Sequence, residues 1–255
     1  MKAVVLTSNS LRHKYFSKVM NDHFNLVGII SEPKEFTYEQ VKQDSKTIRK
    51  HFANLKKYEQ EAFDNVIFPE NVDILNLQKS RINDADVIEW AILKNPDVIL
   101  LFGTAILKSE WLKIFENKII NLHLGLSPYY RGSATLFWPF FYDEIECVGA
   151  TIHLASEKVD AGDIIGRVKP DLIVGDNYYS INIKTIKKAI DLMPQYIFSF
   201  LKCEISPIRQ NHIAGRLCKR KDFNEQALIK ALDSIGEGLT EEKMEMIKES
   251  TECNY

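Results

Sequence analysis

The chain has 255 residues, 45% of them hydrophobic, enough to bury a substantial core in one large domain or in one domain with an appendage. Its formal net charge is −2, with Lys and Arg scattered among acids, which gives no support to binding nucleic acid or a membrane surface. Four cysteines, Cys147, Cys203, Cys218 and Cys253, show no Cys-x-x-Cys spacing, and neither a secretory signal nor a bilayer-length apolar run is apparent, so a reducing, cytoplasmic setting with free thiols is expected.

In chain order, Lys2–Thr7 is a short apolar strand, Ser8–Arg12 a polar turn, Leu11–Phe24 a helix with Leu11, Phe16, Val19 and Met20 on its apolar stripe, and Asn25–Ser31 the next strand. This β-α-β opening is of the doubly wound kind, and its helix begins where anions are commonly held. Ser8, Asn9, Arg12 and His13 therefore read as a phosphate or nucleotide contact, with a solvated helix N-terminus the equal alternative; no Gly-x-Gly-x-x-Gly is present, which disfavours an NAD site. Pro33 to about Asp64 is charge-rich, with Ile48, Phe52, Leu55, Tyr58 and Phe63 at near-helical spacing, and predicts an amphipathic helix outside the sheet. Val72–Leu77 predicts a short strand, Asp84–Lys94 a helix and Pro96–Phe102 a fully buried strand in the parallel style. That strand leads into a small-residue turn, Phe102–Leu107, ahead of a helix from Lys108 to about Phe115.

Ile119, Ile120 and Leu122 mark another buried strand, and because alternate strand residues share a face, Asn121 and His123 point the same way. A loop with Ser127-Pro128 and Arg131-Gly132 follows, then an aromatic helical segment, Thr135–Tyr142, read as packing under the site. Val148, Ala150, Ile152 and Leu154 form one face of a further strand, with Thr151 and His153 on the other, and a polar loop brings Asp160 just before Gly162. Asn177–Leu201 is a long amphipathic helix. Beyond it lie Gly215–Phe223, with Arg216, Lys219, Arg220 and Lys221 as a basic patch that a solvated loop explains better than a phosphate site, and two helical segments, Glu225–Ile235 and Thr240–Glu249.

The ordered set Asn121-x-His123, Pro128, Arg131-Gly132, Gly149-x-Thr151-x-His153 and Asp160-x-Gly162-x-Ile164-Ile165 closely resembles the signature of the 10-formyltetrahydrofolate-dependent formyltransferases. That family includes the glycinamide ribonucleotide, methionyl-tRNA and sugar N-formyltransferases. The chain departs from the commoner His-Pro-Ser-Leu-Leu-Pro wording, carrying Leu124-Gly125-Leu126-Ser127-Pro128 after His123, which puts the acceptor loop's shape in question but leaves the polar pair. The resemblance implies a doubly wound, mostly parallel α/β catalytic domain over residues 1–200 with a helical C-terminal extension over 201–255.

Formyl transfer to an amine passes through a tetrahedral intermediate with a negative oxygen, so a fixed donor aimed at that oxygen is needed, and the amine must lose a proton. The resemblance assigns the donor to Asn121, the base or cationic partner to His123, and to Asp160 the orientation of the imidazole and the ordering of a relay water; no metal is called for. It implies 10-formyltetrahydrofolate as co-substrate, with Phe102, Gly103, Thr104, Ile106, Leu107 and Val159 around the pterin, and Ser8, Asn9, Arg12, His13, Ser127 and Arg131 toward the acceptor. The expected partners are small molecules, without nucleic acid or membrane, and the resemblance allows a homodimer. A tRNA acceptor is disfavoured by the missing barrel and basic surface, and the charged helix and C-terminal extension favour a nucleotide-linked amino deoxysugar, of the kind used for surface polysaccharide, over glycinamide ribonucleotide. A formyltetrahydrofolate hydrolase or a folate-binding protein stays open as the reading from another class.

Overall fold

The computed structural model describes residues 1–33, 45–210, 215–250 and 253. Its elements are β1 (Lys2–Thr7), α1 (Leu11–His23), β2 (Asn25–Ser31), α2 (Lys46–Phe63), β3 (Ile74–Asn76), α3 (Ala85–Leu93), β4 (Val98–Phe102), α4 (Ser109–Ile114), β5 (Ile119–His123), β6 (Tyr130–Gly132), α5 (Trp138–Phe141), β7 (Ala150–Leu154), β8 (Ile164–Val168), α6 (Tyr178–Leu201), β9 (Arg216–Cys218), α7 (Glu225–Asp233) and α8 (Glu241–Glu249). The expected opening β-α-β unit falls on β1, α1 and β2. The helix expected from Pro33 begins instead at Lys46, where the Ser45 side chain accepts the Ile48 N–H at 3.2 Å; its first stretch, 34–44, lies outside the described residues. The aromatic segment yields only the short α5, and β6, β8 and β9 were not anticipated.

Seven strands form one sheet in the order β3-β2-β1-β4-β5-β7-β8. The first five are mutually parallel, whereas β7 runs antiparallel to both β5 and β8. The mostly parallel, doubly wound expectation holds. Alternation along the strands divides the core. Val5, Leu100, Ile120, Leu122 and Ile152 face the layer of α1, α2 and α6, while Val4, Leu6, Ile99, Leu101 and Ile119 face α3 and α4. Asn121 and His123 continue the face that Ile119 begins. Trp111 of α4 is fully buried in this second layer and donates its indole N–H to the Ile82 carbonyl at 2.9 Å. His123 is met from loops and the short β6, by Gly125, Tyr130 and Asp160.

Residues beyond 201 share the main core. Ala227, Leu228, Ala231, Ile235 and Leu239 pack in the same cluster as α6, and β9 pairs in parallel with β6. Cys147 and Cys253 are joined in a disulfide, which corrects the expectation of four free thiols; Cys203 and Cys218 are unpaired. Neither partner's spacing signals this bond, because 106 residues separate them. No helix of the described residues is long and apolar enough to cross a membrane.

Candidate active site

The register of β5 and β7 sets Asn121 opposite His153 and His123 opposite Thr151, so four polar side chains share one face. His153 donates its Nδ1–H to the Leu154 carbonyl at 2.8 Å, which leaves Nε2 as an acceptor for the Asn121 amide N–H at 3.0 Å. That contact fixes the orientation of the carboxamide and leaves its second N–H for a further acceptor. His123 presents Nε2 to the Tyr130 carbonyl at 3.0 Å and Nδ1 to Asp160 Oδ2 at 3.3 Å. Asp160 Oδ1 lies 3.7 Å from His153 Nε2, and Oδ2 also accepts the Gly132 N–H at 3.0 Å.

Two acceptors thus face the two nitrogens of His123, and the doubly protonated ring is the form that satisfies both. Burial opposes that form and takes the His123 pKa below its ordinary value, against the pull of the Asp160 carboxylate. For Asp160, burial pushes the pKa up, but in the acid range where it titrates, the imidazoles of His123 and His153 in their protonated form, with the Gly132 N–H, outweigh it and bring the carboxyl down to about 2. The carboxylate is ionised at any physiological pH. With Nε2 on a backbone carbonyl, His123 turns Nδ1 toward Asp160, so a general-base role expected of His123 would have to run through that side of the ring.

Close packing holds these groups. A Cβ on Gly125 would come within 2.4 Å of His123 Nε2 and 2.7 Å of the Tyr130 carbonyl, so the departure from the usual loop wording has a steric reason: glycine lets the loop close over the imidazole. Thr151 accepts the Ser127 N–H at 2.8 Å and donates to the Gly125 carbonyl at 2.7 Å, tying the same loop to β7. Asp160 itself adopts φ +48°, the left-handed region that costs a non-glycine residue energy unless its surroundings hold it there.

Around the β4 turn, Gly103 has φ +74°, as the tight turn requires. Asn83 pins the rest of the loop, donating to the Ile106 carbonyl at 3.0 Å and accepting the Lys108 N–H at 2.8 Å. Phe102 and Leu107 are buried and support the turn from below, while Thr104 is half-buried and Ile106 and Val159 offer apolar side chains to solvent at 68% and 38% exposure. The residues at the start of α1 are placed differently from expectation. The Arg12 guanidinium is paired with Glu59 of α2, and His13 is fully buried with its ring 4.9 Å from Phe102, so a substrate contact does not suit that imidazole. Ser8 is buried and Asn9 exposed. Ser127 is buried behind the loop, its carbonyl accepting from Arg167 Nε at 2.8 Å, and Arg131 is half-buried close enough to His123 to bear on its charge. Arg216 of the basic patch is spent on Glu144, at 2.7 and 2.8 Å.

Sequence reasoning passed over His153 as a site residue although it named the position; only the β5–β7 register shows that it sits between Asn121 and Asp160. Gln210 gave no signal at all. Its amide donates to the Asp160 carbonyl at 3.2 Å and the Gly162 carbonyl at 2.6 Å.

A mostly parallel sheet with Asn-x-His on one strand, a histidine opposite and an aspartate looped onto both is the arrangement of a formyl transferase domain. The formyl transferase family model matches residues 1–197, and the chain belongs to that family. It is 33% identical over 141 residues to a methionyl-tRNA formyltransferase of Hydrogenobaculum sp. (strain Y04AAS1), covering 54% of this chain and 46% of that one. It is 25% identical over 213 residues to the methionyl-tRNA formyltransferase of Bacillus thuringiensis subsp. konkukian (strain 97-27), covering 83% and 62%. The chain thus spans roughly half to three fifths of the length of these curated relatives. Among solved structures, the N-formyltransferase from Helicobacter canadensis in complex with folinic acid and dTDP-3-aminofucose shares the fold with a TM-score of 0.57 at 18% identity, over 95% of this chain and 82% of that one. Phosphoribosylglycinamide formyltransferase from Anaplasma phagocytophilum does so with a TM-score of 0.57 at 18% identity, over 81% and 89%.

Proposed function

We propose that this protein transfers the formyl group of 10-formyltetrahydrofolate to the amine of a nucleotide-linked amino deoxysugar. The observation that carries the reaction class is the Asn121–His153–Asp160–His123 cluster, in which one carboxamide N–H is anchored and the other is unassigned. The amine nitrogen attacks the formyl carbon, whose oxygen takes up the electron pair, and the second Asn121 N–H meets that oxygen. Collapse breaks the bond to the folate nitrogen. The proton released by the amine passes, through a water ordered at Asp160, toward that departing nitrogen, while His123 supports the carboxylate from its far side. The pinned loop after β4, which carries the exposed Ile106 beside Gly103 and Thr104, suits a flat aromatic ring system such as the pterin.

The acceptor reading is supported by how far the likeness to solved structures extends. The match to the Helicobacter canadensis protein, whose bound ligand is a nucleotide-linked amino sugar, takes in 95% of this chain, against 81% for the phosphoribosylglycinamide enzyme. Residues beyond 201 are built into the core here, which agrees with a likeness that runs over nearly the whole chain. The reaction is a small-molecule one in an aqueous compartment, and a dimer is compatible with it. A panel of nucleotide-linked 3-amino and 4-amino deoxysugars beside glycinamide ribonucleotide, each with the folate donor, tests this reading. Turnover with a nucleotide sugar is expected; turnover with glycinamide ribonucleotide alone would move the assignment to purine synthesis.

A further inference from the structure

The Asp160 loop is held from outside the region that the family model matches. Ile208 forms a two-way antiparallel bridge with Ile164, each N–H donating to the other's carbonyl at 2.8 Å, and this delivers Gln210 beneath the loop. Gln210 is 5% exposed, and its side-chain nitrogen donates to the carbonyls of Asp160 and Gly162. Both partners are acceptors, so the amide nitrogen, and not its oxygen, must face them. These two carbonyls follow directly on the Asp160 backbone, which sits at φ +48°, and the loop has no slack there, since a Cβ on Gly162 would fall 1.7 Å from the Leu154 carbonyl oxygen. A backbone conformation that is costly for aspartate persists only where neighbours determine it, and beside the side-chain contacts from Gly132, His123 and His153, the backbone of the turn is held by Gln210 from the segment after α6.

We propose that Gln210 is a positioning residue for the reaction: by binding the carbonyls of Asp160 and Gly162, it fixes the backbone that carries the carboxylate and so holds the carboxylate against His123 and His153. The C-terminal segment is therefore part of the active-site apparatus. The inference rests on the formyl-transfer reading for its kinetic arm only.

Gln210→Met keeps the length of the side chain and removes the donor. kcat is expected to fall about tenfold to a hundredfold, with little change in KM for either substrate, because a carboxylate displaced by a fraction of an ångström is still within its loop. Added to Asp160→Asn, the same change should cost almost nothing more, since there is no longer a carboxylate to aim. Equal factors in both backgrounds would overturn the proposal. A second arm needs no substrate. The His123 ring is faced by Asp160, His153, Arg131 and the Tyr130 carbonyl, and its titration can be followed by imidazole nitrogen NMR. Loosening Asp160 withdraws support from the charged ring, so the midpoint should move to lower pH in Gln210→Met. An unmoved midpoint in a folded variant would overturn the proposal. So would global unfolding of both Gln210→Met and Gln210→Glu, which would show that the residue carries the fold instead. If the midpoint moves but the wild-type protein transfers no formyl group, the positioning role stands and the proposed function falls.

Discussion

Asp160→Asn removes one charge while keeping the shape of a protonated carboxyl, so its effect on stability follows from the pKa of the residue it replaces. The fall from 3.8 to about 2 on folding means that the folded protein favours the ionised form by about 2–3 kcal/mol, at ~1.4 kcal/mol per pH unit. The folded value lies below the unfolded one, so this stability is present above about pH 4 and is lost as the pH falls toward 2. The variant should therefore be less stable by about 2–3 kcal/mol at pH 7, a drop in Tm of roughly 5–10 °C for a chain of this size. At pH 3 only about half of the difference should remain. Chemical denaturation of both proteins at pH 7, 5, 4 and 3 reads this directly. A variant as stable as the wild type at pH 7, or a gap that stays constant down to pH 3, would show that the carboxylate is not the interaction partner of His123, His153 and the Gly132 N–H described above.

Other consequences are open to direct measurement. Asn121→Ala should lower kcat by about a hundredfold or more with donor binding little changed, because the amide acts on charge that develops during the reaction; steady-state kinetics with folate titration decides. In the pH-rate profile, Asp160→Asn should move the acidic limb to lower pH, since a carboxylate beside an imidazole favours the charged ring, and a limb that stays put would assign Asp160 a purely structural place. His51 is buried among aromatic rings and held down to about 4, below its unfolded value, so between those two values the unfolded chain binds the extra proton and stability falls with falling pH. His51→Phe should remove up to about 1.4 kcal/mol per pH unit from the slope of stability between pH 6 and 4.5, as read by unfolding curves. Gly125→Ala should lose about 1–3 kcal/mol of stability and a large part of kcat, because the added methyl meets His123 Nε2 and the loop must shift.

Much of this was legible in the sequence because local patterns carry it. The β-α-β opening, the buried β4 and the long α6 rest on periodicity within single segments, and Asn121 and His123 share a face because strand alternation requires it. What was not legible depends on meetings between distant segments. His153 becomes a partner of Asn121 only through the β5–β7 register, and the Arg12–Glu59 pair only through the packing of α2 against α1. The start of α1 looked like an anion site from its polar residues, yet burial of His13 against Phe102 uses that ring for packing. Gln210 lies 50 residues from Asp160 in irregular chain, and nothing in its neighbours' sequence marks it. The Leu124-Gly125 wording was visible as a departure, but its reason, the space taken by the His123 ring, required the loop's path.

The central claim is that the Asn121–His153–Asp160–His123 cluster moves a formyl group from folate to an amine. The most direct measurement is a donor-consumption assay with 10-formyltetrahydrofolate, run with and without a nucleotide-linked amino sugar, for wild type and Asn121→Ala, with formate measured alongside. The account predicts tetrahydrofolate formation that depends on the amine, matches formylated sugar one for one, and is lost about a hundredfold in Asn121→Ala. Formate released at the same rate without any amine, or consumption indifferent to Asn121, would contradict it.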